Sequence, residues 1–212
     1  VDRLHVDLTG QPPTSAARTR WVTDLGNGST TKGDLVAALR ASSDNVDVVD
    51  PTVRLYRALL GRAPDAGGLT FWVGRRRSGS WTLQRMADSF TASSEFRRKY
   101  GSLTNRQFVT RIYTDVLGRS ADPSGVDFWT RQLDLVRRTR GSVMVGFSES
   151  NEYRTKQAES TDVSVVYIFL LGRTPTTTEA TTWVTRQRAG TTRAVLAGEV
   201  LAGEEYADRI SG

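Results

Sequence analysis

An all-α fold of tandem helical repeats is predicted for this 212-residue chain by three features of its sequence. The first is a recurring stretch: "LLGRAPDAGGLTFWV" at 59–73, "VLGRSADPSGVDFWT" at 116–130 and "LLGRTPTTTEATTWV" at 170–184. The second is a fixed interval of 11 residues from Gly to Trp within it: Gly61 to Trp72, Gly118 to Trp129, Gly172 to Trp183, and more faintly Gly10 to Trp21. The third is a closing signature, "FTASSEF" (90–96), "FSESNEY" (147–153) and "VLAGEEY" (200–206), which puts Glu95, Glu152 and Glu205 at 23, 23 and 22 residues after their Trp. In "LRASSDN" (39–45) Asp44 holds the same place. Trp21, Trp72, Trp129 and Trp183 are 51, 57 and 54 residues apart. Such a period outweighs any single motif and divides the chain into a degenerate unit 1–50 and units 51–103, 104–158 and 159–212, packed as a compact or elongated array.

Each element of the unit follows from its residues. "VRLYRALLG" gathers Val53, Tyr56, Leu59 and Leu60 on one face, and "FVTRIYTDVLG" does so with Phe108, Ile112, Val116 and Leu117, which is helical spacing. "VSVVYIFLLG" (163–172) is apolar on several sides and its β-branched content would also suit a strand, but its place in the repeat makes it a buried helix. The Gly ends the helix, because it adopts positive φ without a Cβ penalty. Pro64-Asp65 and Asp122-Pro123 are turn and cap chemistry for a second helix, and Gly68 or Gly125 lets backbones approach closely. That helix carries Leu69, Trp72 and Val73 on one face, with Arg75, Arg76 and Arg77 pointing largely outward. A third helix follows breaks expected at Gly79-Ser80 and Gly141-Ser142.

A phosphate cradle would need backbone N–H groups at a helix start, commonly after a strand and with a Gly-Lys-Ser/Thr run. Here the Gly follows a helix and that run is missing, so the opening motif is a helix stop, turn and helix start. There is no Cys, which excludes disulfides and thiolate metal sites. No apolar run reaches the roughly 18 residues of a membrane span. The chain opens on Val1-Asp2 rather than on Met or a signal segment, as expected of a processed chain. The net charge of +6 would favour acidic partners. However, the basic residues are almost all Arg and lack interleaved aromatics, so nucleic acid is not expected as a partner.

Catalytic chemistry is not expected. The one His, His5, lies in the degenerate unit, and no nucleophile elbow, zinc-protease or EF-hand motif occurs. The carboxylates that might pair as in a glycosidase, Asp65 with Glu95 and Asp122 with Glu152, recur in each unit, which suits a scaffold better than a single active site. No metal site or cofactor is expected. Arg62, Arg119 and Arg173 open units that Glu95, Glu152 and Glu205 close, and three partly buried ion pairs are expected between them. The Trp residues are expected as core anchors, with sugar stacking as the alternative. Trp81 stands outside the repeat.

"LYRALLGRAPDAGGLTFWV…FTASSEF" and "IYTDVLGRSADPSGVDFWT…FSESNEY" resemble the bacterial family known as domain of unknown function 4214, with its Tyr, Leu-Gly-Arg, Pro-Asp, Gly, Trp and Ser-x-Glu-Phe/Tyr signature. The match is dense over 50–155, extends to 206 and reaches back to residue 4. Residues 163–206 lack its Asp and Gly, and Gln11 stands where Arg is expected. The resemblance implies an all-helical repeat, similar to linker domains of cyanobacterial light-harvesting assemblies, in secreted or cell-surface proteins, as an accessory module without a general activity. The expected function is therefore non-catalytic binding of polysaccharide or another cell-envelope component, with protein docking or an assembly spacer as the alternative. Candidate ligand contacts are Trp81, Arg75, Arg76, Arg77, Asp65 and Asp122.

Overall fold

The computed structural model describes residues 1–211; Gly212, on which the last expected unit ends, lies outside them. Every regular element among the described residues is helical. Four helices end in a left-handed Gly: α1 (Asp2–Thr9) at Gly10, α4 (Asp50–Leu60) at Gly61, α8 (Asn105–Ile112) with its π-helical extension Tyr113–Leu117 at Gly118, and α12 (Ala158–Leu171) at Gly172. These glycines have φ of 72, 75, 70 and 74°, a region costly for residues with a Cβ. A twelve-residue helix follows each: α2 (Ser15–Gly26), α5 (Ala66–Arg77), α9 (Pro123–Asp134) and α13 (Thr177–Arg188).

Next come α3 (Lys32–Arg40), α6 (Leu83–Thr91), α10 (Arg140–Ser148) and α14 (Arg193–Ala202). All four start behind a Thr, since Thr31, Thr82, Thr139 and Thr192 each accept a hydrogen bond from the backbone three residues on. The expected break at Gly141-Ser142 is corrected by this cap: both residues lie in the first turn of α10, and the break falls earlier, where Val136 adopts φ 54°. Short helices α7 (Ser94–Tyr100), α11 (Asn151–Lys156) and α15 (Glu204–Ser211) complete the order, and a π-helical stretch, Asn45–Val49, leads into α4. The apolar segment before Gly172 is helical, and α12 is buried continuously from Thr161 to Leu170. Its lack of an amphipathic stripe is therefore that of a helix surrounded on all sides.

The contacts divide the chain into two compact units, one of Val1–Asp50, Asp65–Gly74 and Ala158–Gly212, the other of Pro51–Pro64 and Arg75–Gln157. In the first unit α3 packs on α14. The helices meet at Gly33, where a Cβ would fall 2.1 Å from the Ala194 carbonyl oxygen. Beside this crossing Arg40 is fully buried and bonded to Asn45 at 2.5 Å and Asp50 at 2.6 Å, with Asp162 at 3.4 Å. Arg193 reaches the same Asp162 at 2.5 Å. Pairing on this scale is what makes a buried guanidinium tolerable.

In the second unit α6 packs on α10 in a related way. A Cβ on Gly141 would lie 2.4 Å from Asp88 Oδ1 and 2.9 Å from the Asp88 nitrogen. The Thr139 hydroxyl donates to that same carboxylate at 2.6 Å. Arg54 on α4 forms a two-pronged bond to Glu149, at 3.0 and 2.5 Å.

Candidate functional site

The left-handed glycines aim the Arg that follows them. Arg119 donates Nε and Nη2 to the two oxygens of Glu152 at 2.8 and 3.0 Å, and its guanidinium lies 5.1 Å from the ring centre of Tyr113. Arg173 repeats this with Glu205, at 2.5 and 2.7 Å, over Tyr167 at 5.4 Å. Arg62 does so with Glu95, at 3.1 and 3.3 Å, over Tyr56 at 5.9 Å. The structure thus joins each Arg and Glu that the repeat spacing pairs, but not in the partly buried setting expected: the Arg119 and Glu152 side chains are 45% and 43% exposed. Water screens such a pair, so its contribution to stability is that of a surface bridge.

In the sequence the Tyr figures on the apolar face of its helix and in the family signature, but not as a partner of the Arg. Its constant place, five residues before the Gly in Tyr56, Tyr113 and Tyr167, was the available signal. A cation at the end of the short last helix was also missed. Lys156 donates to the Leu117 carbonyl at 2.7 Å and Arg209 to that of Phe169 at 2.6 Å, satisfying helix-end carbonyls. Lys99, four residues after Glu95 as Lys156 is after Glu152, instead reaches Asp115 at 3.2 Å.

Around two of these ties the helices leave a cleft. One, of about 190 Å3, is lined by Tyr113, Leu117, Arg119, Trp129, Phe147 and Glu152 among others. Another, of about 270 Å3, has Tyr167, Leu171, Trp183, Val200 and Glu205 at the corresponding places, with Glu179 and Glu199. A larger groove of about 500 Å3 along α8 is lined by Leu103, Arg106, Gln107, Thr110 and Arg111 and has no aromatic wall.

Of the four repeated Trp residues expected as core anchors, Trp183 alone is buried, at 7% exposure, with its indole N–H on the Tyr167 hydroxyl at 3.1 Å. Trp21, Trp72 and Trp129 are half-buried, which corrects that expectation. Trp129 packs on Phe147 with ring centres 6.0 Å apart and on exposed Phe128 at 5.0 Å. It gains no deeper cover because Gly146, facing its ring edge, has no side chain: a Cβ there would lie 3.1 Å from Trp129 Cη2.

None of the six candidate ligand contacts lines the Trp129 or the Trp183 cleft. Asp65 and Asp122 are caps, accepting the Gly68 and Gly125 N–H groups at 2.7 and 2.6 Å. The bond from Gly125 lowers the Asp122 pKa, while burial, then Asp122, raise that of Tyr113. Arg75 is exposed, but Arg76 and Arg77 are half-buried, and Arg76 donates to Thr52 Oγ1 at 3.1 Å. The largely outward direction expected of the three thus holds for Arg75, while Arg76 and Arg77 are partly covered. Trp81 is half-buried, with the guanidinium of Arg85 4.4 Å and that of Arg75 6.0 Å from its ring, a cation–π arrangement.

Fold and site define an all-helical protein built around recurring Tyr–Arg–Glu ties, two of them with a Trp beside them. Residues 87–157 match the family model described as Domain of unknown function (DUF4214). The match contains every residue named above for the Trp129 cleft. Comparisons with curated proteins and with solved structures found no match. Among the described residues no helix is long and apolar enough to cross a membrane.

Proposed function

We propose that this protein is a non-catalytic binding module, acting outside the cell or at its surface, that recognises a polysaccharide or another cell-envelope component. The observation that carries the reading is the Trp129 cleft, where a half-exposed indole stands beside the Arg119–Glu152 fork. An apolar ring face next to a few fixed donors and acceptors suits a ligand with both hydroxyls and C–H faces. The cleft also lies wholly within the family segment. Titration calorimetry and a glycan array of neutral and acidic envelope polysaccharides test the reading. Saturable binding to a glycan is expected, and a flat response across both classes overturns it.

A second reading, a protein-docking or assembly module, is favoured by one feature. Phe128, Leu135 and Val136 on and just after α9 are exposed, Val136 to 86%. Exposed apolar side chains gathered at one element mark contact surfaces. Light scattering over a wide concentration range tests the self-assembly form of this reading, which a monomer throughout would remove.

A further inference from the structure

We propose that the Trp129 cleft holds a single ring of a neutral, hydroxyl-rich sugar, and that at the matching cleft the stacking face of Trp183 is covered by the protein's own Arg186–Glu199 pair. The inference rests on the glycan reading above and narrows it to one site and one ligand class.

The two clefts differ at two positions that decide access. Seven residues after its capping Thr, α10 has Gly146 and α14 has Glu199; three residues after its Trp, α9 has Gln132 and α13 has Arg186. Arg186 and Glu199 form a two-pronged bridge, at 2.9 and 2.6 Å, that lays the guanidinium 4.0 Å from the centre of the Trp183 ring. The ring face is therefore occupied, and the indole N–H is taken by Tyr167. Without the Glu, no equivalent bridge can form over Trp129. Among the described residues no acceptor takes the Trp129 N–H, whereas the Trp183 N–H is taken by the Tyr167 hydroxyl. One face, one donor and the Arg119–Glu152 fork are left to a ligand.

Size and charge select the class. At about 190 Å3 the cleft is smaller than the roughly 300–1,000 Å3 of a drug-sized pocket, and it takes one ring with the rest of a chain running outside. Arg119 and Glu152 cancel each other's charge. A carboxylated sugar would meet Glu152 and a cation would meet Arg119, whereas vicinal hydroxyls can both donate to the carboxylate and accept from the guanidinium.

The test is calorimetry on the whole chain with linear neutral glucan, mannan and galactan hexasaccharides, and with a uronic-acid hexasaccharide of the same length. One site per chain is expected, with neutral sugar preferred. Trp129→Ala should weaken binding by about tenfold or more, the scale of losing a stacked aromatic. Gly146→Glu with Gln132→Arg, which builds the bridge over Trp129 on the surface, should weaken it as much while leaving the thermal midpoint near wild type. Glu199→Gly with Arg186→Gln should raise the stoichiometry from one to two. Binding that survives both Trp129→Ala and the built bridge overturns the site but leaves the glycan reading standing, as do two sites in the wild type or preference for the uronic acid. No binding to any hexasaccharide or to the envelope polysaccharides overturns both.

Discussion

The ties at Arg119 and Arg173 begin alike and cap the following helix differently. At the first, Asp122 accepts the Gly125 N–H, and Gly125 leaves the room that brings the Tyr113 hydroxyl close; a Cβ there would fall 2.1 Å from that oxygen. At the second, Thr176 and Glu179 occupy the places of Asp122 and Gly125 and form a reciprocal capping box, at 3.2 Å and 2.7 Å. Glu179 also reaches Arg173 through both oxygens, at 2.8 and 2.7 Å, so this Arg serves two carboxylates. The missing Asp and Gly of the last segment are thus a different solution to the same unpaired N–H groups, not a decayed copy. What the fold retains is the cap; the residues that supply it are free to vary, and their choice sets the charge of the cleft.

Transplanting one solution into the other site should break the fold locally. Gly125→Glu drives a Cβ into the Tyr113 hydroxyl and should cost about 1–3 kcal/mol, as overpacking does. Urea unfolding measures this, and adding Tyr113→Phe should restore part of it. A loss no larger than that of an ordinary surface substitution would show that the close approach at Gly125 does not matter.

A smaller effect is expected at the ties. Arg173→Ala leaves Glu179 and Glu205 facing each other without their shared cation and should cost about 1 kcal/mol, the upper end for exposed pairs. Arg119→Ala leaves one exposed carboxylate and should cost less. Denaturant midpoints of the two variants at low and high salt test this order; equal losses would remove the distinction.

The smallest effect is in acid. Arg173 and the Thr176 cap, against the opposing effect of burial, hold the Glu179 pKa at about 2, against an ordinary 4.5, with the Arg173 bond the largest cause. A carboxyl depressed in the folded state stabilises it fully above its unfolded pKa, and that stability is lost as pH falls from about 4.5 towards 2. The thermal midpoint of Glu179→Gln should therefore fall less steeply than the wild type's in that window, and parallel curves would count against the bond.

Much of this fold is legible in the sequence because its rules are local. A Gly with positive φ, a cap and an apolar face lie within a few residues of one another, so α4, α9 and their counterparts can be read directly, and the 33-residue interval from Arg119 to Glu152 recurs visibly from Arg62 to Glu95. The crossings are not legible. That α3 meets α14 at Gly33 depends on segments far apart in the chain, and Gly33 looks like any weak helix residue. Nor is the Arg40 cluster, whose partners Asn45, Asp50 and Asp162 share no periodic place. At the site, Arg, Glu and Trp declared themselves by repetition. The opening over Trp129 did not, because it is made by a residue without a side chain, Gly146, and shows only beside Glu199.

The crossing of α3 on α14 also orders events in time. It closes a unit whose pieces are separated by most of the chain. Bringing them together costs loop entropy before any contact repays it, which places such contacts late and makes them slow. Pro51–Pro64 and Arg75–Gln157 complete a unit of their own within that interval. On a ribosome this inner unit, with the Trp129 cleft inside it, has all its residues in hand while Lys32–Arg40 still waits for a helix that has not been made.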